Sequence, residues 1–137
     1  MALTHLVDSS VLTRLGQPAV REAIDPWVER GELARAGISD LEIGYSARSE
    51  AEWDQLAEAL HAFTLVETTS DHLRRARQVQ RMLASRHQRG RKIPDLLIAA
   101  AAEARSLTVL HYDADFDRIA DVTGQPCLWI VPAGSID

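Results

Sequence analysis

The sequence predicts an α/β domain whose mainly parallel central sheet is covered by helices on both faces. Two observations support this fold class. Short apolar segments alternate with longer amphipathic segments along the whole chain, as strands alternate with covering helices in such folds. The 137 residues contain no internal repeat, low-complexity tract or linker, which favours one domain over residues 1–137.

The first half of the chain is predicted to contain three strands and four helices. Residues 3–7 form a short apolar strand that ends at Asp8, and Ser9 or Ser10 can cap the brief helix that follows to about residue 15. The remaining elements are, in order, a helix over residues 19–30, a strand over 33–36, helices over 39–48 and 51–61, and a strand over 63–66.

The second half begins with the longest predicted helix, residues 71–87. Four apolar residues of this helix, Leu73, Ala76, Val79 and Leu83, are predicted to form the stripe that faces the core. The elements that follow are, in order, a helix over residues 95–105, a strand over 107–110, a helix over 113–121 and a strand over 127–131.

Charge is distributed unevenly along the chain. Eight cations and no acid lie between His72 and Pro94, so the net charge of −5 divides into +8 for this segment and −13 for the rest. This polarity allows an acidic protein to present a basic surface to phosphate groups.

The sequence argues against a membrane or secreted protein. No apolar run approaches the roughly 20 residues that a membrane-spanning helix needs, and the N-terminus lacks the basic and apolar regions of a signal peptide. Cys127 is the only cysteine, so no intramolecular disulfide can form. We therefore expect a reducing, cytoplasmic location.

Four carboxylates occupy positions where a ligand would bind in this fold. Asp8 and Asp113 each follow an apolar strand, and Glu42 and Asp95 each lie near the start of a helix. Because ligands bind at the carboxyl ends of parallel strands, all four side chains can meet at one edge of the sheet. Carboxylates so close together repel each other unless a divalent cation neutralises them, and Mg²⁺ and Mn²⁺ prefer such ligands.

Each of these acids also has a purely structural interpretation. Asp8 can cap a helix, and Glu42 can complete a capping box with Ser39. Asp95 can interact favourably with the helix macrodipole. However, a lone carboxylate on so apolar a helix is costly to bury unless a cation binds it.

Four segments carry a family resemblance: LVDSS at residues 6–10, LEIGYSAR at 41–48, IPDLLIAA at 93–100 and HYDADFD at 111–117. In order and spacing they resemble the motifs of the PIN-domain ribonucleases, and most closely those of the VapC toxins of VapBC toxin–antitoxin pairs. The resemblance covers essentially the whole chain. It implies a PIN-like three-layer α/β/α fold, Mg²⁺ as cofactor with Mn²⁺ as a substitute, and a homodimer neutralised by a cognate VapB-type antitoxin.

The resemblance also implies roles for individual residues. The implied catalytic acids are Asp8, Glu42, Asp95 and Asp113. The implied metal ligands are Asp8, Asp95, Asp113 and Asp115, of which Asp115 supplements or replaces Asp113. Ser10 matches a small polar residue that supports the site.

The function implied is endoribonuclease activity, in which water activated by the bound metal attacks an RNA phosphodiester bond. The cations expected to bind RNA are Arg74, Arg81, Arg86, Arg89, Arg91 and Lys92. Two alternatives stay open. The cations can form an ordinary solvated helix face, and the protein as a whole can be a non-catalytic RNA- or protein-binding module on the same fold.

Overall fold

A computed structural model describes residues 2–87 and 92–137. Its five strands are β1 (His5–Val7), β2 (Leu33–Ala36), β3 (Thr64–Val66), β4 (Thr108–His111) and β5 (Cys127–Trp129). Its helices are α1 (Ser9–Leu12), α2 (Pro18–Glu29), α3 (Gly37–Gly44), α4 (Glu50–Ala59), α5 (Ser70–Ser85), α6 (Ile93–Ala104) and α7 (Asp115–Thr123), and a 3₁₀ turn spans Leu60–Ala62. None of the helices in the described ranges is long and apolar enough to cross a membrane.

The strands form one parallel sheet in the order β3-β2-β1-β4-β5. β1 and β4 are neighbours in this sheet, with Val7 opposite Leu110. The next backbone amide, that of Asp8, donates to the carbonyl oxygen of Leu110 over 2.9 Å. The segments that follow β1 and β4 therefore emerge side by side, which brings the residues after Val7 close to those after His111.

Two apolar clusters cover the two faces of the sheet. Consecutive residues of β1 point to opposite faces, so Leu6 packs with α5, α6 and α7, whereas Val7 packs with α1 and α2. The same alternation sends Val109 to the first cluster and Leu110 to the second. The molecule thus has the predicted three layers, α/β/α, with a parallel sheet in the middle.

Helices α5 and α6 pack as an antiparallel pair. Arg75, near the start of α5, forms two hydrogen bonds with Glu103, near the end of α6, over 2.7 and 3.2 Å. In the sequence, only residues 86–92 separate the end of α5 from the start of α6. The end of α5 therefore lies near the start of α6, on the side of the molecule where Asp95 is found.

The buried stripe of α5 differs from the prediction at one position. Leu73 is 52% exposed, and the preceding residue, His72, is buried in its place. At 100° per residue, the stripe of His72, Ala76, Val79 and Leu83 has its centre about 90° away from Leu73. The cap of the helix stabilises this arrangement, because His72 Nδ1 accepts from the amide of Thr69 while its own amide donates to the Thr69 hydroxyl.

Candidate active site

An open cavity of about 520 Å³ lies at the carboxyl edge of the sheet. It is lined by the four predicted catalytic acids and by residues of α1, of the segment after β4 and of the start of α6: Asp8, Ser9, Ser10, Thr13, Arg14, Glu42, Ile43, Lys92, Asp95, Tyr112, Asp113 and Ala114. The structure thus brings together acids that lie up to 105 residues apart in the sequence.

Asp8 is both a helix cap and a cavity residue. It is the N-cap of α1, and its Oδ2 accepts from the amide of Ser10 over 3.0 Å. The prediction that Ser9 or Ser10 caps this helix is wrong, because the chain turns into the helix directly after β1. The second oxygen, Oδ1, is buried and has no hydrogen-bond partner among the described residues. Capping therefore explains the position of Oδ2 and leaves the burial of Oδ1 unexplained.

Asp95 is a buried acid whose ionisation is strongly perturbed. Its side chain is 4% exposed, and its Oδ2 is buried without a partner in the described part of the chain. Burial, followed by the negative charges of Asp8 and Asp113, raises the pKa of Asp95 to about 8. Burial also raises the pKa of Asp8 above its usual range. The fold thus places these two carboxylates where their charge is poorly stabilised by protein groups.

Asp113 and Asp115 both lie beside Asp95. One carboxylate oxygen from each of the three residues falls within 4.8 Å of the others. Asp8 is outside this group of three, although its charge acts on Asp95 and on Asp113. The structure therefore does not force a choice between Asp113 and Asp115, since each can contribute an oxygen to one ion.

Within the described residues, three hydrogen bonds hold Asp113. Its Oδ1 accepts from the amide of Asp115 over 2.9 Å, and its Oδ2 accepts from Lys92 Nζ over 3.1 Å. Its own amide donates to Nδ1 of His111 over 3.1 Å. The prediction that a helix begins at Asp113 is wrong, because α7 begins at Asp115 and Asp113 binds the first amide of that helix from the preceding loop.

His111 is a buried residue whose ring accepts a hydrogen bond from the loop that carries Asp113. It is fully buried and packs between Phe116 and Trp129, with ring centroids 5.0 and 4.9 Å away. Burial lowers the pKa of His111 to about 4, so the ring is neutral at physiological pH and Nδ1 can accept from the amide of Asp113.

Glu42 faces the cavity, and its predicted capping role is wrong. Helix α3 begins at Gly37, two residues earlier than predicted, and no side chain caps it. The Ser39 hydroxyl is buried without a partner among the described residues, so it makes no bond with Glu42. Instead, Oε1 of Glu42 accepts from the hydroxyl of Ser9 over 2.7 Å. Burial raises the pKa of Glu42.

Two serines at the start of α1 connect the parts of the site. The hydroxyl of Ser10, which is predicted to support the site, accepts from the amide of Tyr112 over 2.9 Å and so connects α1 to the loop that carries Asp113. Ser9, predicted only as a possible helix cap, donates to Glu42. In the sequence, only its position beside Asp8 indicates a place in the site, because Glu42 lies 33 residues away.

The predicted RNA-binding cations differ in how close they lie to the cavity. Lys92 lines the cavity. Arg81 is exposed on the half of α5 that lies toward Asp95, and Arg86 is exposed just beyond the end of that helix. Arg74 is paired with Asp71 near the other end of α5, about 16 Å along the axis from Ser85. Arg89 and Arg91 lie outside the described residues.

The donor set fits a hard divalent cation. The oxygens of Asp95, Asp113 and Asp115 are close enough to share one ion, and Asp8 adds a buried oxygen without a partner in the described structure. Carboxylate oxygens are the ligands that Mg²⁺ and Mn²⁺ prefer. Burial is the main cause of the raised pKa of Asp95, and repulsion by Asp8 and Asp113 adds to it; a cation would relieve this repulsion.

Comparisons with known proteins agree with this geometry. A family model described as PIN domain matches residues 5–122. Ribonuclease VapC51 of Mycobacterium tuberculosis (strain ATCC 25618 / H37Rv) is 65% identical over 137 residues, which is 100% of both chains. Ribonuclease VapC21 of the same strain is 44% identical over 98% of this chain and 99% of that protein.

Solved structures show the same fold. The crystal structure of VapBC2 from Rickettsia felis, bound to a DNA fragment from its promoter, matches with a TM-score of 0.77 and 15% sequence identity, over 94% of this chain and 99% of that chain. Three observations indicate the same family: the parallel sheet, the acidic cavity at its carboxyl edge and the sequence identity to two VapC ribonucleases. The chain therefore belongs to the PIN-domain family and, within it, to the VapC group.

Proposed function

We propose that this protein is a metal-dependent endoribonuclease toxin that cleaves RNA and is neutralised by a cognate VapB-type antitoxin. The observation that carries this proposal is the pair of buried oxygens, Oδ1 of Asp8 and Oδ2 of Asp95, that have no partner among the described residues. Buried polar atoms are usually bonded, so two such atoms on neighbouring acids favour a bound cation. Both relatives, VapC51 and VapC21, are named as ribonucleases, which supports ribonuclease activity for this protein.

The residues that would hold the cation are Asp8, Asp95, Asp113 and Asp115. We propose Mg²⁺ as the natural ion, with Mn²⁺ as a substitute, because both prefer carboxylate oxygens. When bound, the ion supplies Lewis-acid stabilisation of the negative charge that develops on the scissile phosphate. With the cation bound, these four carboxylates would no longer repel an RNA phosphate at this edge of the protein.

Glu42 is our candidate for orienting the attacking water. Its Oε1 is fixed by Ser9, so the carboxylate is held beside the other acids rather than free to rotate. Burial raises its pKa, which makes it a stronger proton acceptor than an exposed glutamate. Because water is the proposed nucleophile, no 2′,3′-cyclic phosphate should form. We propose that the attack breaks the bond between phosphorus and the 3′ oxygen, which leaves as a 3′-hydroxyl, so the other product carries a 5′-phosphate.

The partners are proposed on separate grounds. The solved neighbours are described as VapBC complexes, which supports an antitoxin as the inhibitor.

An exposed apolar recess formed by Ile38, Leu41, Leu65 and Leu97 supports the proposed homodimer. We propose that the enzyme acts in the cytoplasm, where its RNA substrate is found. Light scattering after size-exclusion chromatography tests the dimer directly.

The activity can be tested with single-stranded RNA, purified protein and either Mg²⁺ or excess EDTA. We expect cleavage only with Mg²⁺, and none by Asp8→Asn or Asp95→Asn. Asp54→Asn is a matched control, because Asp54 is an exposed aspartate outside the cavity, and it should cleave normally. Cleavage that persists in EDTA, or in either cavity variant, would refute the proposal. Binding of RNA without cleavage in any divalent metal would instead indicate a non-catalytic binding module.

A further inference from the structure

One cation on the wall of the acidic cavity has no role in the proposed chemistry. Arg14 lies two residues beyond the end of α1, and its half-buried side chain lines the cavity together with Thr13 and Tyr112. It is far in sequence from the cationic segment between His72 and Pro94, so the charge pattern of the chain gave no reason to select it.

The guanidinium group of Arg14 is fixed beside the cavity by three contacts. Nη1 donates to the carbonyl oxygen of Ser10 over 2.7 Å, and Nε donates to the main-chain oxygen of Asp137 over 2.7 Å. Its central carbon lies 5.0 Å from the centroid of the Tyr112 ring, a distance at which cation and ring attract each other. The amide of Ser10 binds Asp8 in turn, so Arg14 is anchored to the same turn that carries a proposed metal ligand.

These contacts leave most of the guanidinium group available. Arginine carries five N–H donors, and the two hydrogen bonds use two of them. The other donors make no hydrogen bond within the described parts of the chain. Lys92, the other described cation on the cavity wall, is already bonded to Asp113. Arg14 is therefore the better candidate for binding an anion that enters the cavity.

The charge of the site indicates which anion this would be. An RNA strand that crosses the cavity brings several phosphates close to Asp8, Glu42, Asp95 and Asp113, but the bound cation compensates only the phosphate at which cleavage occurs. A neighbouring phosphate would meet uncompensated carboxylates. The planar, always charged guanidinium of arginine matches a phosphate through two parallel hydrogen bonds.

We propose that Arg14 binds a backbone phosphate of the RNA strand adjacent to the scissile one. This proposal rests on the proposed ribonuclease function and adds a substrate-binding residue to it. Arg14 sets the position of the strand relative to the carboxylates and does not take part in the chemical step. Its loss should therefore raise KM and weaken RNA binding, with little effect on kcat.

Binding can be measured with a fluorescent single-stranded RNA oligonucleotide and Mg²⁺, on a Glu42→Gln background that slows cleavage and keeps all four proposed metal ligands. We expect Arg14→Gln to weaken binding by about 5- to 30-fold and to reduce the slope of log Kd against log salt by about 0.7, the value for one lost phosphate contact to a single strand. Arg14→Lys should retain part of the affinity. Arg21→Gln, which changes an exposed arginine of α2 outside the cavity, should bind as the parent does.

A neutral methylphosphonate, placed at one linkage at a time, identifies the phosphate concerned. The Arg14-containing protein should lose affinity at one linkage beside the cleavage position, and Arg14→Gln should be insensitive at that linkage alone. If both proteins respond equally at every linkage, the proposal is overturned. It is also overturned if Arg14→Gln only lowers the Tm, which would assign Arg14 to holding the segment near Asp137, or only weakens inhibition by the antitoxin.

The outcome for wild-type protein separates this proposal from the proposed function. If wild-type protein neither binds nor cleaves RNA with Mg²⁺, the ribonuclease proposal fails, and the role of Arg14 fails with it. If wild-type protein cleaves RNA and Arg14→Gln has the same KM and affinity as wild type, only the role of Arg14 is overturned.

Discussion

The hydroxyl of Ser9 donates a hydrogen bond to Oε1 of Glu42 over 2.7 Å. This contact joins the first residue of α1 to the last turn of α3, and therefore connects two of the elements that surround the acidic cavity. Glu42 binds no cap residue of its own helix, so Ser9 is the described side chain that fixes its orientation. We therefore propose that Ser9 is a positioning residue, which acts through Glu42 rather than on the substrate.

Replacement of Ser9 by alanine should lower kcat by about tenfold and leave KM nearly unchanged. A hydrogen bond to a charged group contributes roughly 1.5–3 kcal/mol, and a loss of about 1.4 kcal/mol in the transition state corresponds to a tenfold slower rate. Steady-state kinetics with a short RNA measure both constants.

Two further variants separate this positioning role from a loss of folding. Ser85→Ala removes an exposed hydroxyl that binds the carbonyl oxygen of Met82, so it should change neither constant. In a Glu42→Gln background, Ser9→Ala should have little additional effect, because the residue that it positions has already lost its charge. An undiminished tenfold effect in that background would show that Ser9 does not act through Glu42.

Asp95→Asn should stabilise the metal-free protein while abolishing its activity. The wild-type carboxylate is buried near Asp8 and Asp113, and its charged form is poorly stabilised. The amide carries no charge and removes this repulsion. In EDTA at pH 8.5, thermal unfolding should show a Tm several degrees higher for the variant than for wild type.

The pH dependence of this difference has a definite sign. The pKa of Asp95 is about 8 in the folded protein and 3.8 as its ordinary value. Between these two values the unfolded chain releases a proton that the folded protein retains, so wild-type stability falls as pH rises from about 4 to 8. The Tm advantage of Asp95→Asn in EDTA should therefore grow over this range. An advantage that is constant with pH would contradict the raised pKa.

Lys92→Gln should strengthen metal binding and weaken RNA binding. Lys92 Nζ lies 3.1 Å from Oδ2 of Asp113, so its ammonium group competes with a cation for that oxygen. Its charge also opposes that of a divalent ion in the same cavity. Calorimetric titration with Mn²⁺, without RNA, should give a lower Kd for the variant than for wild type. A higher Kd would mean that Lys92 organises the carboxylates instead of competing for them.

Gly44→Ala should destabilise the protein by about 1–3 kcal/mol, the usual effect of overpacking. A Cβ at this position would lie 2.5 Å from Nε1 of Trp53. The indole ring must move to admit it, so tryptophan fluorescence should change together with the free energy of unfolding. Gly16→Ala is the matched control, since a Cβ there meets no atom within 4 Å. Equal stability of the two variants would show that the ring of Trp53 moves at no cost.

Much of the fold and the site could be predicted from the sequence because both follow from strand ends. A parallel strand buried on both faces is continuously apolar, so the change to Asp8 after Val7 marks the edge at which ligands bind. The same reasoning applies to Asp113 after β4. The sequence could also show that Asp95 is isolated on an apolar helix, and the structure adds that one of its oxygens has no partner in the described chain.

Features that depend on tertiary contacts could not be predicted. The pairing of Glu42 with Ser9 was hidden by a local capping pattern, which is the simpler interpretation when only neighbouring residues are considered. His72 replaces Leu73 in the core because the cap at Thr69 holds it there, against its polarity. Arg14 is held at the cavity by the carbonyl oxygen of Ser10 and the ring of Tyr112, and the charge pattern of the sequence indicates neither contact.

The number of Mn²⁺ ions bound by wild-type and variant protein tests the central claim most directly. Electron paramagnetic resonance counts free Mn²⁺ during a titration, without any need for RNA or activity. We expect wild-type protein to bind at least one ion, Asp8→Asn and Asp95→Asn to bind much more weakly, and Asp54→Asn to match wild type. Wild-type protein that binds no Mn²⁺, or Asp8→Asn and Asp95→Asn variants that bind it as well as wild type does, would contradict the assignment of these carboxylates to a metal site.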